Sequence, residues 1–226
     1  MSARAELRGQ VAGGPSAGEL ASGWGGERLR WRREVYALLA ITFRRPPLPL
    51  AYGDVATALA ELLRGVPWGG TLAGRLAALH VDEGPTLHTA LVLLGGAART
   101  PVRLYESCWR DGTTLWGEAA ARCDGFYRRV GFVVDELVHE CPDALGVELE
   151  LMAHLCDAGD EAEADRFLRT HLLQWAPQAA ASLAAAPLPP FFRLMGDVLG
   201  RFLAAEEDEG VVAQPARGAG RKCGGR

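Results

Sequence analysis

Between Asp135 and Asp165 the chain carries eleven carboxylates and no Lys or Arg: Asp135, Glu136, Glu140, Asp143, Glu148, Glu150, Asp157, Asp160, Glu161, Glu163 and Asp165. The whole chain has a formal net charge of only -4, so the acid is concentrated rather than spread. A local negative field of this kind selects a cationic partner. Asp143, Glu148 and Glu150 have the right chemistry for an acid/base pair. However, no nucleophile, base and orienting group accompany them, and there is no Gly-x-Ser-x-Gly elbow. A phosphate cradle is missing too, since Gly13-Gly14 has no preceding strand. No catalytic residue is expected.

Metal chemistry is suggested by His139-x-Cys141 and His154-x-Cys156, which share one spacing. Side chains two apart on a helix point about 200° from each other, so His154 and Cys156 cannot chelate one ion together. The usual zinc spacings are absent, and neither a metal nor a cofactor is expected. Arg28, Arg30, Arg32 and Arg33 cluster before the first apolar stripe, but an acidic chain makes a poor general binder of phosphate backbones, and no nucleic-acid partner is expected. A last constellation joins aromatic and acidic residues. Leu104-Tyr105-Glu106-Ser107-Cys108-Trp109 leads to the Asp111-Gly112 turn. Leu115-Trp116-Gly117-Glu118 follows, and Phe126-Tyr127-Arg128-Arg129-Val130-Gly131-Phe132 closes the segment. Tyr and Trp combine large faces with polar tips, as peptide-binding surfaces do. Trp116 and Phe126 read as core; Tyr105, Trp109 and Tyr127 are candidate contacts.

The elements that must position these residues are helical. Trp31, Val35, Leu38, Leu39 and Phe43 keep a helical period until Pro46-Pro47. Further helices are predicted near 52–64 and 71–80, and over Thr86–Ala98. Trp116, Ala119, Cys123, Phe126, Tyr127 and Val130 form the next stripe. Leu145, Leu149, Met152 and Cys156 form another, and Leu168, Leu172, Trp175, Ala179 and Leu183 a third. Pro189-Pro190 opens a last helix, which buries Phe191, Met195, Val198 and Phe202. No strand and no internal repeat is read. Residues 1–26 and 207–226 are poor in apolar periodicity and read as a disordered leader and tail around one helical domain, 27–206. The tail ends in a basic run, Arg217 to Arg226, that reads as solvated; nucleic acid or the chain's own acidic face are its other possible contacts.

Composition agrees with helix: hydrophobic residues make up 49%, and Ala and Leu outnumber β-branched types. Lys222 is the only lysine. Five cysteines without a C-x-x-C pair suit a reducing compartment. With no run of about 18 apolar residues and no signal-peptide pattern, neither a membrane span nor export is expected, and the location expected is the cytoplasm.

At three blocks the sequence resembles the TorD/DmsD/NarJ-type redox-enzyme maturation chaperones. The first runs from Leu104-Tyr105-Glu106-Ser107 to Phe132. The second is Glu140-Cys141-Pro142-Asp143 with Glu148-Leu149-Glu150-Leu151-Met152. The third is Phe167 to Trp175 with the Phe191–Phe202 helix. The resemblance spans roughly 29–205. It implies an all-α TorD-like fold without catalytic residues or cofactor. The implied partner is the apo-precursor of a molybdopterin oxidoreductase catalytic subunit of the DMSO-reductase class. Its twin-arginine signal peptide would be held, as monomer or dimer, until cofactor insertion is complete. The implied peptide contacts are Tyr105, Glu106, Trp109, Tyr127, Asp143 and Glu148, with Pro142 and Gly131 as hinge or structural positions. One departure stands out. The family's Glu-Pro-Asp-His hinge is interrupted by Cys141, and Ala144 stands where His is common, so a role for that His does not carry over. Asp143 has a second possible role, as cap of the helix that follows it. Outside the resemblance, the residues leave open a small helical nucleotide hydrolase with a Mg²⁺ site in 135–165, or a helical adaptor.

Overall fold

A computed structural model describes residues 26–44, 52–81, 102–112, 115–134 and 140–212. Nine α-helices lie in these segments: α1 Gly26–Phe43, α2 Tyr52–Arg64, α3 Gly70–Ala77, α4 Glu106–Arg110, α5 Glu118–Val130, α6 Leu145–Ala158, α7 Glu161–Phe167, α8 Leu173–Ala185 and α9 Pro190–Val212. A π-helical turn, Leu168–Leu172, joins α7 to α8 without a break. The single strand-like feature among the described residues is an isolated antiparallel bridge between Tyr105 and Ala144. The fold is all-α, as expected. No helix among the described residues is long and apolar enough to cross a membrane.

Two helix pairs carry the core: α1 packs along α6, and α8 along α9. The apolar periods explain this. Val35, Leu39, Leu149, Met152, Trp175, Ala179, Val198 and Phe202 are all fully buried, and burying each large apolar side chain contributes about 1.5–3 kcal/mol. The α8–α9 pair is close because Gly196 lacks a side chain. A Cβ there would lie 2.7 Å from the Ala180 carbonyl oxygen and 2.7 Å from the Ala184 nitrogen. Gly196→Ala should therefore push two backbones apart and cost about 1–3 kcal/mol, the usual penalty of overpacking. Urea denaturation of the variant checks this; a stability equal to wild type would mean that α9 shifts freely.

Three expectations need correction. The first helix starts at Gly26, ahead of the stripe at Trp31, and it buries Arg28 and Arg32. Arg32 forms an ion pair with Glu206 of α9, and the Tyr36 hydroxyl donates to the same carboxylate at 2.6 Å. The last helix continues to Val212, so the boundary read at 206/207 falls inside α9, which buries Glu206 itself. Third, Asp143 does not cap α6, whose N-cap is Ala144 without a side-chain bond. The leader to residue 25, the helix expected over Thr86–Ala98 and the basic tail lie outside the described residues.

Candidate functional site

The site is built where the second sequence block meets the first. Residues around Tyr105 and Ala144 run antiparallel, with Glu106 N–H donating to the Asp143 carbonyl at 3.0 Å and Leu145 N–H to the Leu104 carbonyl at 2.9 Å. Asp143 fixes this crossing. Its Oδ2 accepts the Ser107 N–H at 2.7 Å, so it caps α4 from a distant segment, and its Oδ1 accepts the Cys141 thiol at 2.7 Å. Burial and that bond to Asp143 push the Cys141 thiol up to about 12. Pro142, which cannot donate, offers its carbonyl to the Tyr127 hydroxyl at 2.6 Å. Gly131 ends α5 at φ 73°, a left-handed turn that a Cβ would strain, and the following Phe132 N–H returns to the Tyr127 carbonyl at 2.9 Å.

Behind the crossing lies a buried polar cluster. The Glu106 Oε2 is 2.8 Å from His171 Nδ1, and the Cys123 Sγ is 3.3 Å from each of these atoms. Glu148 Oε1 lies 3.8 Å from the same sulfur, and its Oε2 accepts the Trp175 indole N–H at 3.1 Å. Arg110 donates to the outer oxygen of Glu106 and, at 3.0 Å, to the Thr170 carbonyl. Burial would raise the Glu106 carboxyl, but the hydrogen bond and charge of His171, with Arg110 and Cys123, outweigh it and hold Glu106 below the usual carboxylate range. Glu148 moves the other way: full burial first, then the negative charge of Glu106, push it well above that range. Cys123 is raised by burial and by both carboxylates, so its thiol keeps its proton.

The sequence-derived candidates are thus brought together, but inward. Tyr105, Glu106, Tyr127, Asp143 and Glu148 are buried, and of the six only Trp109 meets solvent. The Trp109 indole N–H donates to the Arg103 carbonyl at 2.9 Å. Direct pairing of Asp143 or Glu148 with a docking peptide would require the core to open. The reading of Trp116 as core is also corrected: it is 65% exposed, at φ 61°. Of the acids in the stretch read as a possible Mg²⁺ site, Asp143 and Glu148 turn into the core and Asp157 and Asp160 face solvent, while Asp135 and Glu136 lie outside the described residues. His154 is exposed and Cys156 buried, as the 200° separation requires; His139 lies outside the described residues.

Missed by the sequence reading was an open pocket among the described residues. A pocket lies between the end of α1, the start of α6 and the segment after α5. Phe43, Phe132, Val133, Val134 and Val147 line it, with Arg44, Glu140 and Glu150 at its polar side. Gly146 lets the walls approach, since a Cβ there would sit 2.9 Å from the Phe43 carbonyl oxygen. Glu140 accepts the Tyr105 hydroxyl at 3.1 Å, and Arg44 pairs with Glu150 at 3.3 Å. Val133 is 80% exposed.

The order and placement of these elements match known proteins. The family model described as nitrate reductase delta subunit matches residues 53–181, more than half of the chain. The chain belongs to this family. A protein named chaperone protein TorD, from Shewanella amazonensis, is 33% identical over 114 residues, and that match spans about half the length of each chain (48% of both). A solved structure from Archaeoglobus fulgidus, described as a redox enzyme maturation protein, superposes with a TM-score of 0.52 at 21% identity. It covers 76% of this chain and 93% of that one, and it supports the fold. The resemblance read from the three sequence blocks agrees with this family membership. These relatives carry the names of chaperones and maturation proteins, not of enzymes.

Proposed function

We propose that this family member is a chaperone for the apo-precursor of a molybdopterin oxidoreductase, that it acts in the cytoplasm, and that it holds the precursor through its twin-arginine signal peptide before export. The observation that carries the reading is the pocket beside the Tyr105–Ala144 crossing. A peptide with two adjacent arginines and an apolar segment needs carboxylates beside an apolar trough. Glu140 and Glu150 flank Phe43, Phe132 and Val147 there. Arg44 already pairs its guanidinium with Glu150, the kind of bond a peptide arginine would form. Sequence reasoning assigned the pairing to Asp143 and Glu148. Their burial shifts the proposed contact to Glu140 and Glu150 and leaves Asp143 to hold the pocket wall.

Calorimetry with a client leader peptide tests this. Charge-assisted pairs contribute on the order of 1.5–3 kcal/mol each. The double variant Glu140→Gln/Glu150→Gln should therefore bind the peptide at least about tenfold more weakly, and a Lys-Lys version of the peptide should lose part of its affinity on wild type. Binding should weaken with salt. Equal affinity of wild type and double variant, with helicity intact, would move the peptide elsewhere on the surface.

A further inference from the structure

We propose that Glu106, Cys123 and His171, with the Glu148 carboxylate beside them, form a buried structural site for a divalent transition-metal ion of the zinc class. This goes beyond peptide binding and runs against the metal-free expectation drawn from the sequence, which weighed only residues close together in the chain. Here the three donors come from α4, α5 and the π-helical turn, three separate elements, and Glu148 stands on a fourth, α6.

The distances are those of a slightly contracted coordination shell. With metal bonds near 2.3 Å to sulfur and near 2.0–2.1 Å to nitrogen or oxygen, tetrahedral ligand atoms sit about 3.3–3.6 Å apart. The Cys123 sulfur is 3.3 Å from both His171 Nδ1 and Glu106 Oε2, and 3.8 Å from Glu148 Oε1. The edge from Glu106 to His171, at 2.8 Å, must widen by about 0.5 Å and the two sulfur edges by about 0.2 Å, while Glu148 must draw in to serve as a fourth donor. All four residues are buried. Thiolate, imidazole and carboxylate together suit zinc and its neighbours, not magnesium or calcium.

The surroundings also fit. Each carboxylate has its outer oxygen held by a nitrogen donor, Glu106 by Arg110 and Glu148 by the Trp175 indole, so each turns its inner oxygen towards Cys123. Outer partners of this kind orient metal ligands. Charge closes as well: a dication with two carboxylates and one thiolate leaves one negative charge, which Arg110 beside Glu106 neutralises. Without the ion, two carboxylates face one thiol in the core. His171 reaches this point from a π-helical turn, a distortion that recurs at functional sites. On binding, the sulfur–metal bond forms as the Cys123 proton leaves to solvent, and the proton held between His171 Nδ1 and Glu106 leaves with it so that the ring nitrogen can coordinate; nothing is oxidised or reduced.

Because the site is buried, the ion must enter during folding. The full-length chain is unfolded in chelator and refolded with Zn²⁺ or Co²⁺, and excess metal is removed by gel filtration. The expected result is about one ion per chain by elemental analysis, a sulfur-to-cobalt charge-transfer band, and a higher thermal midpoint than the metal-free protein. Cys123→Ser should lose the band and the midpoint gain, while Cys141→Ser keeps both. His171→Gln serves as a second variant should Cys123→Ser fail to fold. Wild type that refolds without retaining either metal overturns the proposal, as does retention that is unchanged in both cluster variants.

Discussion

Replacing Glu206 by Ala is expected to lower the folding stability by about 3–5 kcal/mol, the usual cost of stranding one member of a buried ion pair. Arg32 is fully buried and makes three contacts with the Glu206 carboxylate, at 2.8 Å and 3.0 Å from its Nε and a third, shorter one from its Nη2. Burial lowers the Arg32 pKa, and the charge and hydrogen bonds of Glu206 more than offset this. Once Glu206 is lost only the burial remains, but a guanidinium starts so far above neutral pH that it stays charged with its carboxylate gone. The Tyr36 hydroxyl loses its acceptor in the same step. For a chain of this size that corresponds to a fall in thermal midpoint of roughly 6–20 °C. Arg32→Met with Glu206→Leu should recover most of the loss, because a well-packed apolar pair replaces a buried ion pair at little cost. A scanning-calorimetry midpoint for Glu206→Ala within 2 °C (about 1 kcal/mol) of wild type would mean that α9 is held on α1 by apolar contacts alone.

Asp143→Ala should cost about 2–4 kcal/mol. The substitution removes the cap of α4, worth about 0.5–2 kcal/mol. It also strands the buried Ser107 N–H and Cys141 thiol, and an unsatisfied buried donor costs about 1–3 kcal/mol. Asp143→Asn keeps one acceptor oxygen for Ser107 and should fall between Ala and wild type. Urea denaturation ranks the three. Leader-peptide affinity should fall for Asp143→Ala too, since the Glu140 wall of the pocket adjoins the crossing that Asp143 pins. If Ala matches wild type in stability yet loses the peptide, Asp143 contacts the ligand directly and the capping role is secondary.

What the sequence made legible was apolar phase. The stripes Leu145–Leu149–Met152–Cys156 and Leu168–Leu172–Trp175–Ala179–Leu183 are buried as read. Charge misled wherever a polar side chain shared that phase. Glu148 lies three residues after Leu145 and four before Met152, hence on the buried face, yet inside an acidic run it reads as surface. His171 has the same relation to Leu168 and Trp175, and Cys123 was in a core stripe from the start. Their convergence depends on which helices pack together, and spacing within one helix does not encode that. Arg32 and Glu206, 174 positions apart, are the extreme case. The open pocket was hidden for a related reason: Phe43, Phe132 and Val147 each look like ordinary core, and only the assembled fold leaves them facing one gap.

The π-helical turn has a consequence for how this segment tolerates changes in length. The Leu173 N–H bonds back to the Leu168 carbonyl, five residues away, and the Gln174 side chain donates to the Arg169 carbonyl at 2.8 Å. The turn therefore holds one residue more than an α-turn would. Thr170 is exposed and looks expendable. Deleting it would let Glu161–Ala185 run as one continuous α-helix, and local backbone geometry would improve. The extra residue is taken up inside the turn, which completes nearly the same rotation as the α-turn that would replace it. The faces on either side, α7 on α6 and Trp175, Ala179 and Leu183 against α9, would therefore stay in phase. A one-residue deletion here should spare the core stripes and act locally, through the lost bond from Arg110 to the Thr170 carbonyl, whereas Thr170→Ala at the same position should be silent.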